Sequence, residues 1–234
     1  MKYFDWYYHR PAELNVGDSL SEPILSYFLK GVNLRRAEKK DSGKLVSCGS
    51  VMSMVKSGDT VWGTGCIRNK ELRLPNVKFL AVRGKLTRGL IKGSIVPEVY
   101  GDPALLLPLI YNPKIEKKYK VGIIPHYVDK DLVKGEKIIS VALNWKEFVN
   151  EVLSCEQIIS SSLHGIIIAE AYGIPATWAV YSDKLTGGQF KFQDYFSGTG
   201  RKEQKPFTLL PAIENIKNIQ DNLLKALVKR TDIP

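Results

Sequence analysis

At 234 residues, with 44% hydrophobic, 25% charged and 10% aromatic content, the chain carries enough apolar side chains for a buried core, which excludes a disordered or fibrous protein. An excess of 34 Lys and Arg over 24 Asp and Glu gives a formal charge of +10, which favours anionic partners: phosphates, anionic lipid headgroups, acidic glycans or nucleic acid. Three cysteines, Cys48, Cys66 and Cys155, form no close pair and no metal-type spacing, so neither a disulfide framework nor a metal site is expected, and the expected compartment is a reducing cytoplasm.

The first segment, MKYFDWYYHRPAE, carries charges at Asp5, Arg10 and Glu13 and no apolar run of the signal-peptide kind. No uncharged stretch approaches the roughly 20 apolar residues that cross a bilayer. Asn15, Gly17 and Asp18 lie in a loop ahead of a helix expected over Ser21 to Lys30, where Ile24, Leu25, Phe28 and Leu29 share one face and Gly31 marks the end. Strands are expected near Leu45 to Cys48, Thr60 to Trp62 and Phe79 to Arg83. Arg83 ends the third of these, ahead of Gly84 and Lys85, and open parallel sheets bind ligands at such carboxyl ends. A guanidinium there can hold a carboxylate or phosphate with two parallel hydrogen bonds. Asp102 before Pro103 reads as a turn.

The stretch LIYNPKIEKKYK, from Leu109 to Lys120, breaks the pattern with a proline and clustered lysines, as a linker does. Beyond it, strands are expected over Val121 to Ile124, Ile138 to Ala142, Gln157 to Ser160 and Ala176 to Tyr181. His126 follows the first of them. A helix begins at Asn144, with Glu147 at the capping-box position and Trp145, Phe148, Val149, Val152 and Leu153 at helical spacing. Phe192, Tyr195 and Phe196 fall in a Gly-rich region expected to be mobile, as core aromatics or as a platform for a sugar ring. A last helix over Ala212 to Lys229 spaces Ile213, Ile216, Ile219, Leu223 and Leu227 as an apolar stripe. The alternation implies an α/β fold of parallel sheets covered by helices. It divides into two Rossmann-like domains facing a cleft, 1–112 and 113–211, with a C-terminal helix unit, 212–234, packed back on them.

Residues 158–175, IISSSLHGIIIAEAYGIP, run from a buried strand through three serines and a turn at His164 and Gly165 into a helix closed by Gly173 and Pro175. Serine hydroxyls and free N–H groups at a helix start favour a phosphate or carboxylate, and an imidazole at that mouth can transfer a proton. The residues alone support a second reading equally well, in which the serines cap the helix and His164 is a satisfied turn residue.

Taken in order, several segments resemble the polysaccharide pyruvyl transferase family, bacterial enzymes that move a pyruvyl group from phosphoenolpyruvate onto a sugar as a cyclic ketal. They are Asn15-Val-Gly-Asp18, Gly49-Ser50-Val51 with Val61-Trp-Gly-Thr-Gly65, Val82-Arg-Gly-Lys-Leu-Thr87, Gly101-Asp-Pro-Ala104, Gly122-Ile-Ile-Pro-His126, Ser161-Ser-Leu-His-Gly165 with Ala171-Tyr-Gly-Ile-Pro175, and Lys191-Phe-Gln-Asp-Tyr195. Ser-Ser-Leu-His-Gly is the most diagnostic. The resemblance implies a two-domain GT-B-like architecture and a pyruvyl transferase that uses phosphoenolpyruvate as donor, with no cofactor and no metal. Its acceptor would be a sugar or lipid-linked oligosaccharide precursor of an exo- or capsular polysaccharide. The enzyme would work in the cytoplasm at the inner face of the membrane, with peripheral contact to anionic lipid and none to nucleic acid.

In that reading His164 is the acid, with His126 the next candidate, and Asp18 is the base. Arg83, Lys85, Ser160, Ser161, Ser162 and Gly165 hold the donor. Asn15, Gly17, Asp194 and Tyr195 lie on the acceptor side. A nucleotide-sugar glycosyltransferase would share the architecture and place a diphosphate at the same helix start. A glycan-binding or assembly-scaffold protein without catalysis is the third alternative.

Overall fold

The structure, a computed structural model, describes residues 3–7, 15–38 and 40–231. Residues 8–14 of the N-terminal segment, Lys39, and 232–234 of the expected terminal unit lie outside the described residues. In chain order the first half holds β1 (Tyr3–Tyr7), α1 (Val16–Ser19), α2 (Ser21–Phe28), β2 (Asn33–Arg36), β3 (Leu45–Val46), β4 (Thr60–Trp62), β5 (Leu72–Arg73), β6 (Lys78–Ala81), α3 (Lys85–Leu90) and β7 (Ile91–Lys92). A 3-10 helix, Pro103–Leu109, leads to β8 (Tyr119–Ile124) and a second 3-10 helix, Tyr127–Leu132. Then come α4 (Trp145–Leu153), β9 (Cys155–Ser160), α5 (Leu163–Ala171), β10 (Ala176–Trp178), α6 (Phe190–Gly198) and α7 (Ile216–Thr231).

The fold is mixed α/β with small parallel sheets. Five strands pair in the order β2-β1-β3-β4-β6, three in the order β10-β9-β8, and β5 pairs with β7, all parallel. The central strands β3 and β4 are buried throughout, as inner parallel strands require. At α4 the expected cap is present: the Asn144 side chain accepts from the N–H groups of Lys146 and Glu147 at 3.1 and 3.0 Å. Leu163 to Ala169 of α5 are buried on every side, which is why that helix carries no polar face. The apolar stripe of α7 is docked through buried Leu223 and Leu227, and the Trp62 indole N–H donates to the Leu223 carbonyl at 2.9 Å.

Two expectations change. The strand expected over Ile138 to Ala142 shrinks to one bridge between Ile138 and Ile123. The Val141 carbonyl is taken by the Val16 N–H at 2.7 Å, so the chain turns to α1 instead of continuing the sheet. The region expected to be mobile around Phe192 is α6. Its Phe192, Tyr195 and Phe196 sit at helical spacing and are buried, with Phe192 stacked on Trp178 at 5.0 Å between centroids. The expected boundary at 112–113 lies in an extended segment. Side chains from before and after it, among them Ile24, Leu45, Trp62, Leu105, Ile124, Phe148, Ile166, Tyr195 and Leu223, share one apolar cluster.

A buried polar knot crosses that cluster. Arg83, fully buried at the end of β6, donates from Nε to Asp194 Oδ2 at 2.9 Å, from Nη1 to Ser50 Oγ at 2.6 Å and from Nη2 to the Cys66 carbonyl at 2.7 Å. Asp194, on α6, also accepts from the Thr87 N–H and hydroxyl, each at 2.7 Å. Gly84 lets the two elements approach: a Cβ there would lie 1.7 Å from the Asp194 carbonyl oxygen. Removing one partner strands the other charge in the core, so Arg83→Met should cost about 3–5 kcal/mol in urea unfolding. Arg83→Met combined with Asp194→Leu should recover most of that loss. Equal stability of the single and double variants would show that the pair is not what anchors α6.

Candidate active site

Loops leaving the carboxyl ends of parallel strands converge on a cavity of about 250 Å³. After β1 comes α1 with its cap Asn15, where a loop was expected, after β3 Ser50, after β8 His126, and after β9 Ser162 and His164. Lys191, from the first turn of α6, closes the set.

Asn15 caps α1, its side-chain oxygen accepting from the Gly17 N–H at 3.2 Å. Gly17 lies directly beneath His164, and a Cβ there would sit 1.9 Å from the imidazole Nδ1. Only glycine leaves room for the ring. Asp18 lines the cavity beside them. Ser162 stands at the N-cap position of α5 without capping it, and its hydroxyl makes no hydrogen bond among the described residues. The first turn of α5 presents its N–H groups at the same place, where they favour negative charge.

The other two serines are consumed by the fold. Ser160 Oγ accepts from the Ser162 N–H at 3.0 Å and lies 3.0 and 2.8 Å from the carbonyls of Ile124 and Ser162. Ser161 donates to Asp129 Oδ2 at 2.8 Å and accepts from the His126 N–H at 2.9 Å. Asp129 also takes the Ser182 hydroxyl at 2.5 Å. Gly165 packs against Ser160 and Ile124 within α5.

Burial pushes His126 down to about 4, with the charge of Lys191 adding to the effect and Asp129 opposing it. It is therefore neutral at neutral pH, with Nδ1 accepting from the Val128 N–H at 3.4 Å and the proton on Nε2. A neutral imidazole can donate a hydrogen bond but holds no proton to spare. His164 is the other histidine lining this cavity, and its ring nitrogens make no hydrogen bond among the described residues.

Lys191 is the residue that the reading of site residues missed. It is 8% exposed, and its ammonium forms no ion pair or hydrogen bond among the described residues. Burial, then the neighbouring Arg83 charge, lowers it to about 8, against the pull of Asp18 and Asp129. Its nearest partner is the face of the Phe192 ring, 5.4 Å from the ammonium, and a buried cation that faces a cavity with no hydrogen bond or ion pair is suited to an anion. The signal in the sequence was a single lysine between Phe190 and Phe192, but spacing alone does not say that it turns inward.

Several expected site residues lie elsewhere. Arg83 stands behind the wall, reaching the cavity only through Ser50. Lys85 is exposed in a separate groove between α3 and α6. Asp194 is bound to Arg83. Tyr195 is fully buried with its hydroxyl donating to Glu170 Oε2 at 2.7 Å, out of reach of a sugar. Burial also raises Cys66 to about 11, so it is no nucleophile. Among the described residues no His, Cys, Asp and Glu gather as a metal cluster, and no helix is long and apolar enough to cross a membrane.

Residues 16–183 match the polysaccharide pyruvyl transferase family. The chain belongs to that family. Lys191 and the rest of α6 lie beyond the matched range. An uncharacterized protein of Acanthamoeba polyphaga mimivirus is 32% identical, covering 86% of this chain and 82% of its own. The succinoglycan biosynthesis protein ExoV of Rhizobium meliloti (strain 1021) is 26% identical over 83% of this chain, which spans 64% of ExoV's length. No solved structure matches significantly.

The cost of burying Lys191 can be measured. Between about pH 8 and 10.5 the folded protein binds fewer protons at Lys191 than the unfolded chain does, so stability gains from rising pH in that window. Lys191→Met should melt higher than the wild type at pH 7, and the gap should narrow as pH rises from 8 to 10. A constant gap across that range would show that Lys191 carries no desolvated charge.

Proposed function

We propose that this protein transfers the pyruvyl group of phosphoenolpyruvate to a hydroxyl pair on a sugar of a surface-polysaccharide precursor, as a cyclic ketal. The observation that carries the reading is the pairing of Lys191, a buried cation held by no hydrogen bond or ion pair among the described residues, with the uncapped α5 start at Ser162, beside His164. Such a site suits a small donor with phosphate and carboxylate groups. Its roughly 250 Å³ is below the 300–1,000 Å³ usual for larger ligands, which disfavours a nucleotide sugar. The family and the name of ExoV support polysaccharide synthesis.

In this mechanism Lys191, Ser162 and the α5 N–H groups hold the donor. His164 gives a proton to the methylene carbon while one sugar hydroxyl attacks the adjacent carbon, and Asp18 receives the hydroxyl proton. The C–O bond to phosphate breaks, and the second hydroxyl closes the ketal. Two hydroxyl protons are released: one restores His164 and the other leaves with phosphate. No cofactor takes part in these steps. The acceptor enters along an adjoining depression of about 390 Å³ that shares Ser50, Val51, Ile67 and Thr186 with the donor cavity and adds Arg68 and Lys70. In this reading the five-stranded and three-stranded parallel sheets would be the two units of a GT-B-like arrangement. The +10 charge favours contact with an anionic membrane face if the acceptor is lipid-linked.

Calorimetric titration should show phosphoenolpyruvate binding and no binding of nucleotide sugars, and phosphate should be released only when acceptor is present. Release from a nucleotide sugar, or none from phosphoenolpyruvate with any surface-glycan precursor, would overturn the reading. Under saturating substrates His164→Gln should lower kcat by roughly 10² or more, because it removes the transferable proton, while donor affinity changes only a few-fold.

A further inference from the structure

Two buried polar atoms of this chain face each other without a hydrogen-bond partner. Asp102 Oδ2 and His164 Nε2 are both shielded from solvent and unsatisfied, and they lie 3.7 Å apart. Leaving such groups unpaired is costly, so their juxtaposition needs a reason. Asp102 does cap the 3-10 helix Pro103–Leu109, with Oδ1 accepting from the Ala104 N–H at 3.0 Å. That task uses one oxygen, and Asn or Ser would perform it equally well. The second oxygen is left pointing at the imidazole, and no Lys or Arg pairs with it among the described residues.

The two ring nitrogens of His164 are thereby given different surroundings. Nε2 looks into the core at Asp102. Nδ1 lies over Gly17, in α1, whose cap Asn15 and whose Asp18 line the cavity. We infer that Asp102 is a positioning residue for His164, holding the proton of the neutral ring on Nε2 and leaving Nδ1 to exchange a proton with the ligand. A closing movement of under about 1 Å would bring the pair to charge-assisted hydrogen-bond length, near 2.8 Å. When Nδ1 is also protonated, the carboxylate balances the charge of the imidazolium in a site where water does not. The inference rests on the reading of His164 as the acid, and it assigns to Asp102 a role beyond the turn that its sequence context suggests.

The decisive variant is Asp102→Asn. It keeps the oxygen that caps Ala104 and replaces the other with an amide that donates, so Nε2 must accept and the proton moves to Nδ1. Nitrogen NMR of histidine-labelled protein, with the His164 signal assigned by its loss in His164→Gln, should show the Nε2–H tautomer in the wild type and the Nδ1–H tautomer in Asp102→Asn. The donor KM should change only a few-fold while kcat falls by roughly 10² or more. A wild type that carries its proton on Nδ1 overturns the inference with no variant needed, and so does an Asp102→Asn protein with unchanged tautomer and kcat. If the wild type releases no phosphate from phosphoenolpyruvate, the proposed function falls while the tautomer readout still decides the pair.

Discussion

The guanidinium of Arg83 is the constraint on which the rest depends. Fully desolvated, it needs partners for each of its nitrogens, and these come from three places: Asp194 on α6, Ser50 after β3 and the carbonyl of Cys66 after β4. Satisfying it fixes α6 against the end of the five-stranded sheet and fixes Ser50 in the wall of the cavity. Lys191, three residues before Asp194 on the same helix, is thereby carried inward. A buried ion pair of this kind contributes little net stability against a hydrophobic replacement, but it penalises every arrangement in which the partners do not meet. In this protein its effect is to set geometry at the site.

The cavity is recognised by what the fold leaves unsatisfied. Ser160, Ser161 and Asp129 sit within a few residues of it, yet their hydroxyls and carboxylate are spent on joining β8, β9 and the Tyr127–Leu132 turn. Ser162, Lys191 and His164 keep unspent hydrogen-bonding capacity in the same small volume. Native structures rarely tolerate such remainders, and where several gather they mark a place at which local rules are broken for function. Neutral His126 and its charged neighbour Lys191 illustrate the same division: burial suppresses the charge of the first, while the second, though pushed down to about 8, keeps its charge at neutral pH.

Much of this was legible beforehand. The apolar periodicity of α2, α4 and α7, the cap at Asn144 and the alternation of strand and helix were enough for an α/β fold, because local pattern and burial agree there. The segment from Ile158 to Pro175 was readable as a strand entering a helix, with an anion site or a plain cap at its start fitting equally well, and the order and spacing of the motifs along the chain as the pyruvyl transferase family. The strand over Ile138 to Ala142 was misread because its apolar run is identical whether it pairs along a sheet or yields its carbonyl to Val16. Region 190–198 was misread because glycines on both sides suggested mobility, while the aromatic spacing inside it encoded a docked helix.

By itself, then, the sequence determined the fold class, which follows from local periodicity, and the family, which follows from motifs ordered along most of the chain. Only the tertiary structure decided which polar residues are consumed by the fold and which keep hydrogen-bonding capacity at the cavity. Arg83 and Asp194 are 111 positions apart, and nothing in either segment names the other. Periodicity states that a face is buried, but not against what. A charged side chain therefore reads alike whether its partner is a distant carboxylate, as for Arg83, or an empty cavity, as for Lys191, and that difference exists only once the chain has closed on itself.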